Sequence, residues 1–218
     1  MKTGNDMTDG ASSEDRLLEQ LAGGQENALA ELFSLHRDRL WRMVNFRLDR
    51  RMYGRVDPDD VLQESYLDAA NRISHYLKNP EITFFVWLRQ IATQTLIDIH
   101  RRHIGAQMRD ATREVAMHGV GLPQATSLSL AAHLLGHLTS PSQAALRAEA
   151  SVLLERGLAS MDSIDQEVLA LRHFEELTNS EVSEVLGIQQ KAASIRYVRA
   201  ISRLKKVLEQ MPDFEEPR

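Results

Sequence analysis

Apolar residues recur at steps of three and four along most of this chain, which is the spacing of helices packed through one face, and no stretch calls for a strand. After a small, polar, aperiodic lead from Met1 to about Ser13, expected to be a frayed tail, Glu14 to Leu21 reads as a short amphipathic helix. Gly23 and Gly24 break it. A longer helix follows from about Glu26 to Leu48, with Leu29, Leu32, Phe33, Leu40, Met43, Val44 and Leu48 on its apolar side. A third opens with clear start signals: Asp57 as cap, Pro58 at the first position, and Asp59 and Asp60 against the positive helix end. Its stripe is Leu62, Tyr66, Ala69, Ile73 and Leu77. Phe84, Leu88, Ile91, Ala92, Thr95 and Ile99 form the stripe of a fourth helix, which closes an all-α unit near Gly105.

From Gly105 to about Pro141 the periodicity weakens. Gly119, Gly121, Pro123 and a cluster of Thr and Ser mark a connection, with a short helix expected around Ser127. A second helical unit runs from about Ser142 to Leu208. Ala148 to Leu158 is amphipathic, and Ser163 to Phe174 forms another helix through Val168, Leu169, Leu171 and Phe174. Thr178-Asn-Ser-Glu181 is a capping box opening a short helix whose Val182, Val185 and Leu186 face inward. Gly187 supplies a left-handed stop, Ile188 plugs the turn, and a long basic helix follows from about Gln189. Short helix, glycine turn and basic helix together make a helix-turn-helix.

Composition narrows the class. The chain has 218 residues, 43% hydrophobic and 26% charged, a globular balance with room for one large domain or two small ones. No apolar run has membrane-spanning length and no leader pattern opens the chain, so neither insertion nor export is expected. Zero Cys excludes disulfides, thiol catalysis and thiolate metal sites, and fits a cytoplasmic location. The net charge of −5 argues against a uniformly basic nucleic-acid binder, but the sum conceals a division. Lys191, Arg196, Arg199, Arg203, Lys205 and Lys206 lie in one run without an acid, whereas Asp57 to Asp68 is strongly acidic. Separate faces of this kind suit a basic protein partner on one side and DNA phosphates on the other.

Two polar faces are candidate sites. Asp60, Gln63, Glu64, Asp68 and Asn71 face away from the third helix's stripe; an ordinary solvated face and a docking surface both satisfy that pattern. On the fourth helix Trp87, Gln90, Gln94, Asp98 and Arg101 lie off the stripe, followed by His100, Arg102 and His103. A ring stacks on a base and amides read its edge, so this suits unpaired nucleic acid; a core role for Trp87 is the alternative. The pairs His100 with His103 and His133 with His137 lack a third ligand or a His-Glu-x-x-His pattern, so no metal is expected. There is no nucleophile constellation, phosphate-binding glycine loop or catalytic carboxylate pair, so neither an enzyme nor a cofactor is expected.

Three motifs in order carry a family resemblance. Asp57-x-x-Asp60-x-x-Gln63-Glu64, then Trp87-Leu88-x-x-Ile91-Ala92 with Asp98-x-x-Arg101, then LTNSEVSEVLGIQQKAASIRYVRAISRL resemble a bacterial RNA polymerase sigma factor of the small extracytoplasmic-function type. The resemblance implies an all-α fold of two small helical domains. A region 2-like domain would span about 14–105 and a region 4-like domain about 142–211, joined by a linker over 106–141, with tails at 1–13 and 212–218. It also implies core polymerase binding through Asp57, Asp60, Gln63 and Glu64. Recognition and melting of the −10 element would fall to Trp87, Gln90, Gln94, Asp98, Arg101 and Arg102, with a flipped base received by the loop at about Tyr76 to Thr83. The −35 element would be read by Gln189, Gln190, Lys191, Ser194, Arg196, Arg199 and Arg203. A recognition helix enters the major groove by its N-terminal end, so the first four of these are expected at base edges and Arg203 at the backbone or in solvent. Implied partners are core RNA polymerase, through its largest-subunit coiled coil and its flap, promoter DNA, and an anti-sigma factor. Gln94 stands where Asn is usual, the loop LKNPEIT lacks the usual Gly, and Gln189 sits where Ser often caps; these departures bear on which bases are read.

The rival reading is a dimeric helix-turn-helix regulator of intact operator DNA, which explains Thr178 to Leu208 but leaves the first unit without a task. A helical adaptor is a third, and it requires no basic recognition helix.

Overall fold

The computed structural model describes residues 6–48, 52, 54–104, 130–131 and 144–209, and among them there is no strand. The first unit consists of α1 (Asp6–Ala22), α2 (Asn27–Arg47), α3 (Pro58–Lys78) and α4 (Phe84–Ile104). α1 starts eight residues before the periodic pattern does. Extending a helix from a packed turn costs little per residue, so the aperiodic lead continues the helix that Leu17 and Leu21 anchor. α2 packs against α1, α3 and α4, and α3 lies along α4. Every residue assigned to the apolar sides of α2 and α4 is buried; on α3, Leu62 and Ala69 are buried and Tyr66, Ile73 and Leu77 are half-buried.

The start of α3 follows its local chemistry, since Asp57 accepts a 2.9 Å bond from the Asp59 amide with Pro58 at the first position. Its end does too. Asn79 precedes Pro80, which disfavours helical backbone, and adopts φ −150, ψ 77. The loop before α4 is therefore Asn79–Thr83, shorter than expected, because Tyr76, Leu77 and Lys78 are still helical.

The second unit comprises α5 (Ala144–Ala159), α6 (Ser163–Leu169), a π-helical turn (Ala170–Phe174), α7 (Asn179–Leu186) and α8 (Gln190–Glu209). The expected single helix from Ser163 to Phe174 thus changes its hydrogen-bond pattern halfway. The capping box is present in full: the Glu181 amide donates to the Thr178 hydroxyl at 3.2 Å, and Glu181 Oε2 accepts from the Thr178 amide at 2.7 Å. Gly187 ends α7 at φ 62. Most of the stretch expected to connect the units, and both His133 and His137, lie outside the described residues. Leu130 and Ala131 are helical, fully buried, and packed with Leu154, Leu158 and Ala200.

The two units share their packing. Phe46 at the end of α2 belongs to the second unit's cluster and stacks on Phe174, with centroids 4.8 Å apart and planes 8° from parallel. Beside it, Glu175 is 0% exposed between Arg47 at 0% and Arg89 at 1%. Arg47 Nε donates to Glu175 Oε1 at 2.6 Å, Arg89 Nε to Oε2 at 2.6 Å, and Arg47 Nη2 reaches Glu167 Oε1 at 2.6 Å. Burial alone would push the Glu175 carboxyl up; the two guanidiniums and their hydrogen bonds overcome it and hold the carboxyl down at about 2. Arg47 is driven further toward its charged form, since burial is outweighed by Glu175 and Glu167.

A carboxyl depressed from 4.5 to about 2 contributes stability that is fully present above its unfolded value and is lost as pH falls through about 2. Denaturant midpoints should fall between pH 5 and pH 2 by an amount corresponding to a few kcal/mol, and Glu175→Gln should lower the midpoint at pH 7 while flattening this acid limb. An unchanged acid limb in Glu175→Gln would assign the acid sensitivity to other carboxylates.

Candidate nucleic-acid interface

The acidic face of α3 is positioned by the helix's buried back. Val61, Leu62, Ser65 and Ala69 are buried, and Ser65 donates to the Val61 carbonyl at 2.6 Å, so Asp60, Gln63 and Glu64 are turned outward and exposed. Asp57 is exposed as well, but its carboxylate is engaged in capping. Asp59, on the same first turn, is paired with Arg37 at 2.7 Å, and Asp68, half-buried, is paired with Arg72 at 2.8 Å.

The residues predicted on α4 divide into two groups. Trp87 is half-buried: its ring stacks on Tyr76 at 4.7 Å and tilts against Phe84 at 5.5 Å, which places it on the rim of the core. The core and stacking readings of Trp87 are thus compatible, because one face of the indole is taken by Tyr76 while the residue keeps some exposure. Tyr76 also fixes the loop, donating through its hydroxyl to the Ile82 carbonyl at 3.0 Å. Burial first, then Glu14 and Glu184, push that phenol up to about 12, so it remains a donor. Gln90 is exposed. Gln94 donates to the Asp98 carboxylate at 3.1 and 3.2 Å, one turn further on, which orients its amide. Arg101 lies 3.8 Å from Asp98, and Arg102 is bound by both oxygens of Glu64 at 2.8 and 3.0 Å. That last pair joins the end of α4 to the acidic face of α3, so two sites distinct in sequence are one continuous surface. His100 is half-buried, and His103's side chain lies outside the described residues. No cluster able to hold a metal ion occurs among the described residues.

In the second unit the start of α8 presents its polar residues to solvent. Gln189, Gln190, Lys191 and Ser194 are all exposed, while Ala193 and Ala200 on the opposite side are fully buried. Asn179 Nδ2 donates to the Gln190 carbonyl at 3.0 Å, which ties the start of α8 to α7. Arg196 is half-buried and Arg199 exposed. Arg203 is exposed, and its guanidinium is bound to the buried Asp165 of α6. A carboxylate on a directly packed helix but 38 residues off in sequence gives no periodic signal, which is why the sequence did not reveal it.

The sequence reading also passed over Arg47 and Arg89. Arg89 sits in a strongly apolar helical stretch, where a lone arginine reads as a side chain reaching past the core to water, and Arg47 ends a helix close to Arg50 and Arg51, where a basic residue reads as solvated.

Residues 157–206 match the family Sigma-70, region 4. The chain is 25% identical over 192 residues to the ECF RNA polymerase sigma factor SigW of Bacillus subtilis, an alignment covering 88% of this chain and 94% of SigW. It is 27% identical over 172 residues to the RNA polymerase sigma factor YlaC of the same organism, with 79% and 88% covered. In fold it is similar to the solved structure of CnrH in complex with the cytosolic domain of CnrY, with a TM-score of 0.52, 20% identity, and coverage of 92% of this chain and 99% of that one.

The recognition helix depends on a close approach by α5. A Cβ built at Gly157 would overlap the Val207 side chain on α8. Gly157→Ala should therefore lower stability by about 1–3 kcal/mol despite alanine's better helix propensity, and Val207→Ala in the same chain should recover most of the loss. Thermal melts of the single and double variants test this; an alanine at 157 that raises the melting temperature would show that the two helices separate freely.

Proposed function

The chain belongs to the extracytoplasmic-function family of RNA polymerase sigma factors and directs promoter-specific transcription initiation, and on that premise we propose how its surfaces divide the work. The observation that carries the assignment is the open N-terminal turn of α8: four polar side chains in solvent, on a helix set by a full capping box and a left-handed glycine. That arrangement is a rigid reader for a major groove, and Gln189, Gln190, Lys191 and Ser194 contact base edges of the −35 element there. Arg196 and Arg199 follow along the groove, at bases or phosphates. Arg203 holds α8 against α6 and is removed from the reading set.

The outward face of α3 docks core polymerase as one helix laid against a basic coiled coil, with Asp60 and Gln63 as its free polar groups. Glu64 contributes while bound to Arg102, so docking and −10 contact are mechanically joined. Trp87, backed by Tyr76, offers a stacking face; Gln90 and the Asp98-oriented Gln94 offer amides to separated bases; Arg101 and Arg102 lie near the strand's phosphates. Stacking worth roughly 1–3 kcal/mol per base helps to hold an open bubble without nucleotide hydrolysis, so the chain acts as a specificity subunit and not as an enzyme. CnrH was solved with the cytosolic domain of CnrY, and an anti-sigma protein is proposed as a partner here too. No described helix is long and apolar enough to cross a membrane.

Purified protein added to core RNA polymerase should drive transcription from a shared pair of upstream elements; no stimulation on any template would remove the assignment. Asp60→Lys with Gln63→Ala should abolish co-elution with core polymerase while the helical circular dichroism is retained. Binding that survives both changes would place the docking face elsewhere.

The two ends of α8 should behave differently. Lys191→Ala should weaken holoenzyme binding by about 1–3 kcal/mol on the preferred −35 sequence and much less on a scrambled one. Arg203→Ala should lower the melting temperature and leave discrimination intact, since it leaves buried Asp165 unpaired. Lost discrimination in Arg203→Ala would return that residue to the DNA.

A further inference from the structure

The outward side of α8 carries an apolar strip among its polar residues. Ile195 is 43% exposed and Val198 65%, although both are large aliphatic side chains on a helix with a well-packed back. At 3.6 residues per turn, both fall within about 40° of Lys191 around the helix axis. They therefore share the face of Lys191, Ser194 and Ser202, opposite the fully buried Ala193 and Ala200. Exposed apolar side chains scattered singly are ordinary. These two are paired, one turn apart, on the line that leads away from Lys191. Being β-branched, they also contribute less to the helix than Lys, Arg or Ala would in their place.

The roll of α8 is fixed, so the strip cannot turn inward. The Tyr197 hydroxyl lies 3.2 Å from His173 Nε2, and the Arg172 guanidinium stands 5.2 Å from the centre of the Tyr197 ring. Asn179 holds the Gln190 carbonyl at 3.0 Å, and Arg203 is bound to Asp165. Rotating the helix to bury Ile195 would break these contacts and bring Ala193 and Ala200 into water. The chemistry around the strip says what covers it. Lys191, Arg196 and Arg199 border it, and no acidic residue occurs from Gln190 to Leu208, so its complement is an anion that also offers small apolar groups. Two side chains in a strip one residue wide fall short of the several hundred Å² of contiguous apolar surface that mark a protein-docking patch. In the major groove, thymine offers a methyl group at its edge, whereas the other three bases offer hydrogen-bonding atoms.

We propose that Ile195 and Val198 are specificity-determining residues that pack against thymine 5-methyl groups in the −35 element. The proposal rests on the −35 assignment above and adds to it what that element contains. Along the helix axis Ile195 lies about 6 Å and Val198 about 10 Å beyond Lys191, at 1.5 Å per residue. Bases follow one another at about 3.4 Å along a strand, so the methyl groups belong to thymines roughly two to three base pairs from the pair that Lys191 reads. A cytosine in their place would lose the methyl and turn its amino group toward aliphatic carbon, where no acceptor meets it. The strip thus selects A·T pairs at positions where the polar readers make no hydrogen bond.

Replacing thymine by deoxyuridine removes the 5-methyl group and keeps the base pair and its O4 acceptor. Holoenzyme assembled from the full chain and core polymerase should bind a promoter duplex carrying the mapped −35 element about threefold to tenfold more tightly than the same duplex with deoxyuridine at the contacted thymines. Ile195→Ser with Val198→Ser should bind the thymine duplex as weakly as the wild-type chain binds the deoxyuridine one, and should not distinguish the two. Both side chains are exposed, so this variant should keep its helical circular dichroism. A wild-type chain that discriminates matched from scrambled −35 duplexes, yet binds thymine and deoxyuridine forms alike, overturns the proposal and leaves the −35 assignment standing. Equal binding to matched and scrambled duplexes removes that assignment and the proposal with it. A double variant that keeps full sensitivity to the methyl groups overturns the proposal too, as does one that loses core polymerase, which would make the strip a protein contact.

Discussion

A single carboxylate shared by two arginines from different helices organises how this chain is put together. Arg47 ends α2, Arg89 lies within α4, and Glu175 follows the π-helical turn, so one ion cluster fixes three backbone segments at once. None of the three groups reaches water. Each is tolerable only because the others are present, since an isolated charge at that depth would cost several kcal/mol. The surrounding stack of Phe46 on Phe174 excludes solvent and strengthens the attraction. The relative placement of the two helical units is therefore set by ion pairs within an apolar seam.

Within each unit the logic is simpler: the buried back of a helix aims its front. α3 turns Asp60 and Gln63 outward because Val61, Leu62, Ser65 and Ala69 are locked against α2 and α4. α8 does the same with Ala193 and Ala200, helped by the capping box on α7 and by the close approach of Gly157 to Val207. Side chains carried on packed helices are held in place before any ligand arrives, so less ordering entropy would be lost on binding. The α4 surface is less uniform. Its amide is oriented by Asp98 and its ring by Tyr76, and its basic end is tied to α3 through Arg102 and Glu64.

Local rules were enough to read much of this. The cap at Asp57, the stop at Gly187, the Thr178–Glu181 box and the stripes of α2, α3 and α4 depend on residues within one or two turns of each other, and a helix's periodicity records which side is buried. The order of three motifs likewise carries the family resemblance, because each motif is itself a local pattern on one or two helices. What the sequence could not show were pairings across long separations. Arg47 with Glu175 is 128 residues apart, Arg89 with Glu175 is 86, and Arg203 with Asp165 is 38; nothing periodic marks them, because a charge looks the same in sequence whether it ends in water or in a buried cluster. The π-helical turn is equally silent, since nothing in the local propensities of Ala170 to Phe174 marks a change of hydrogen-bond partner. Helix positions and exposed faces are thus written locally, while the partner of each buried charge was decided only when the two units packed together.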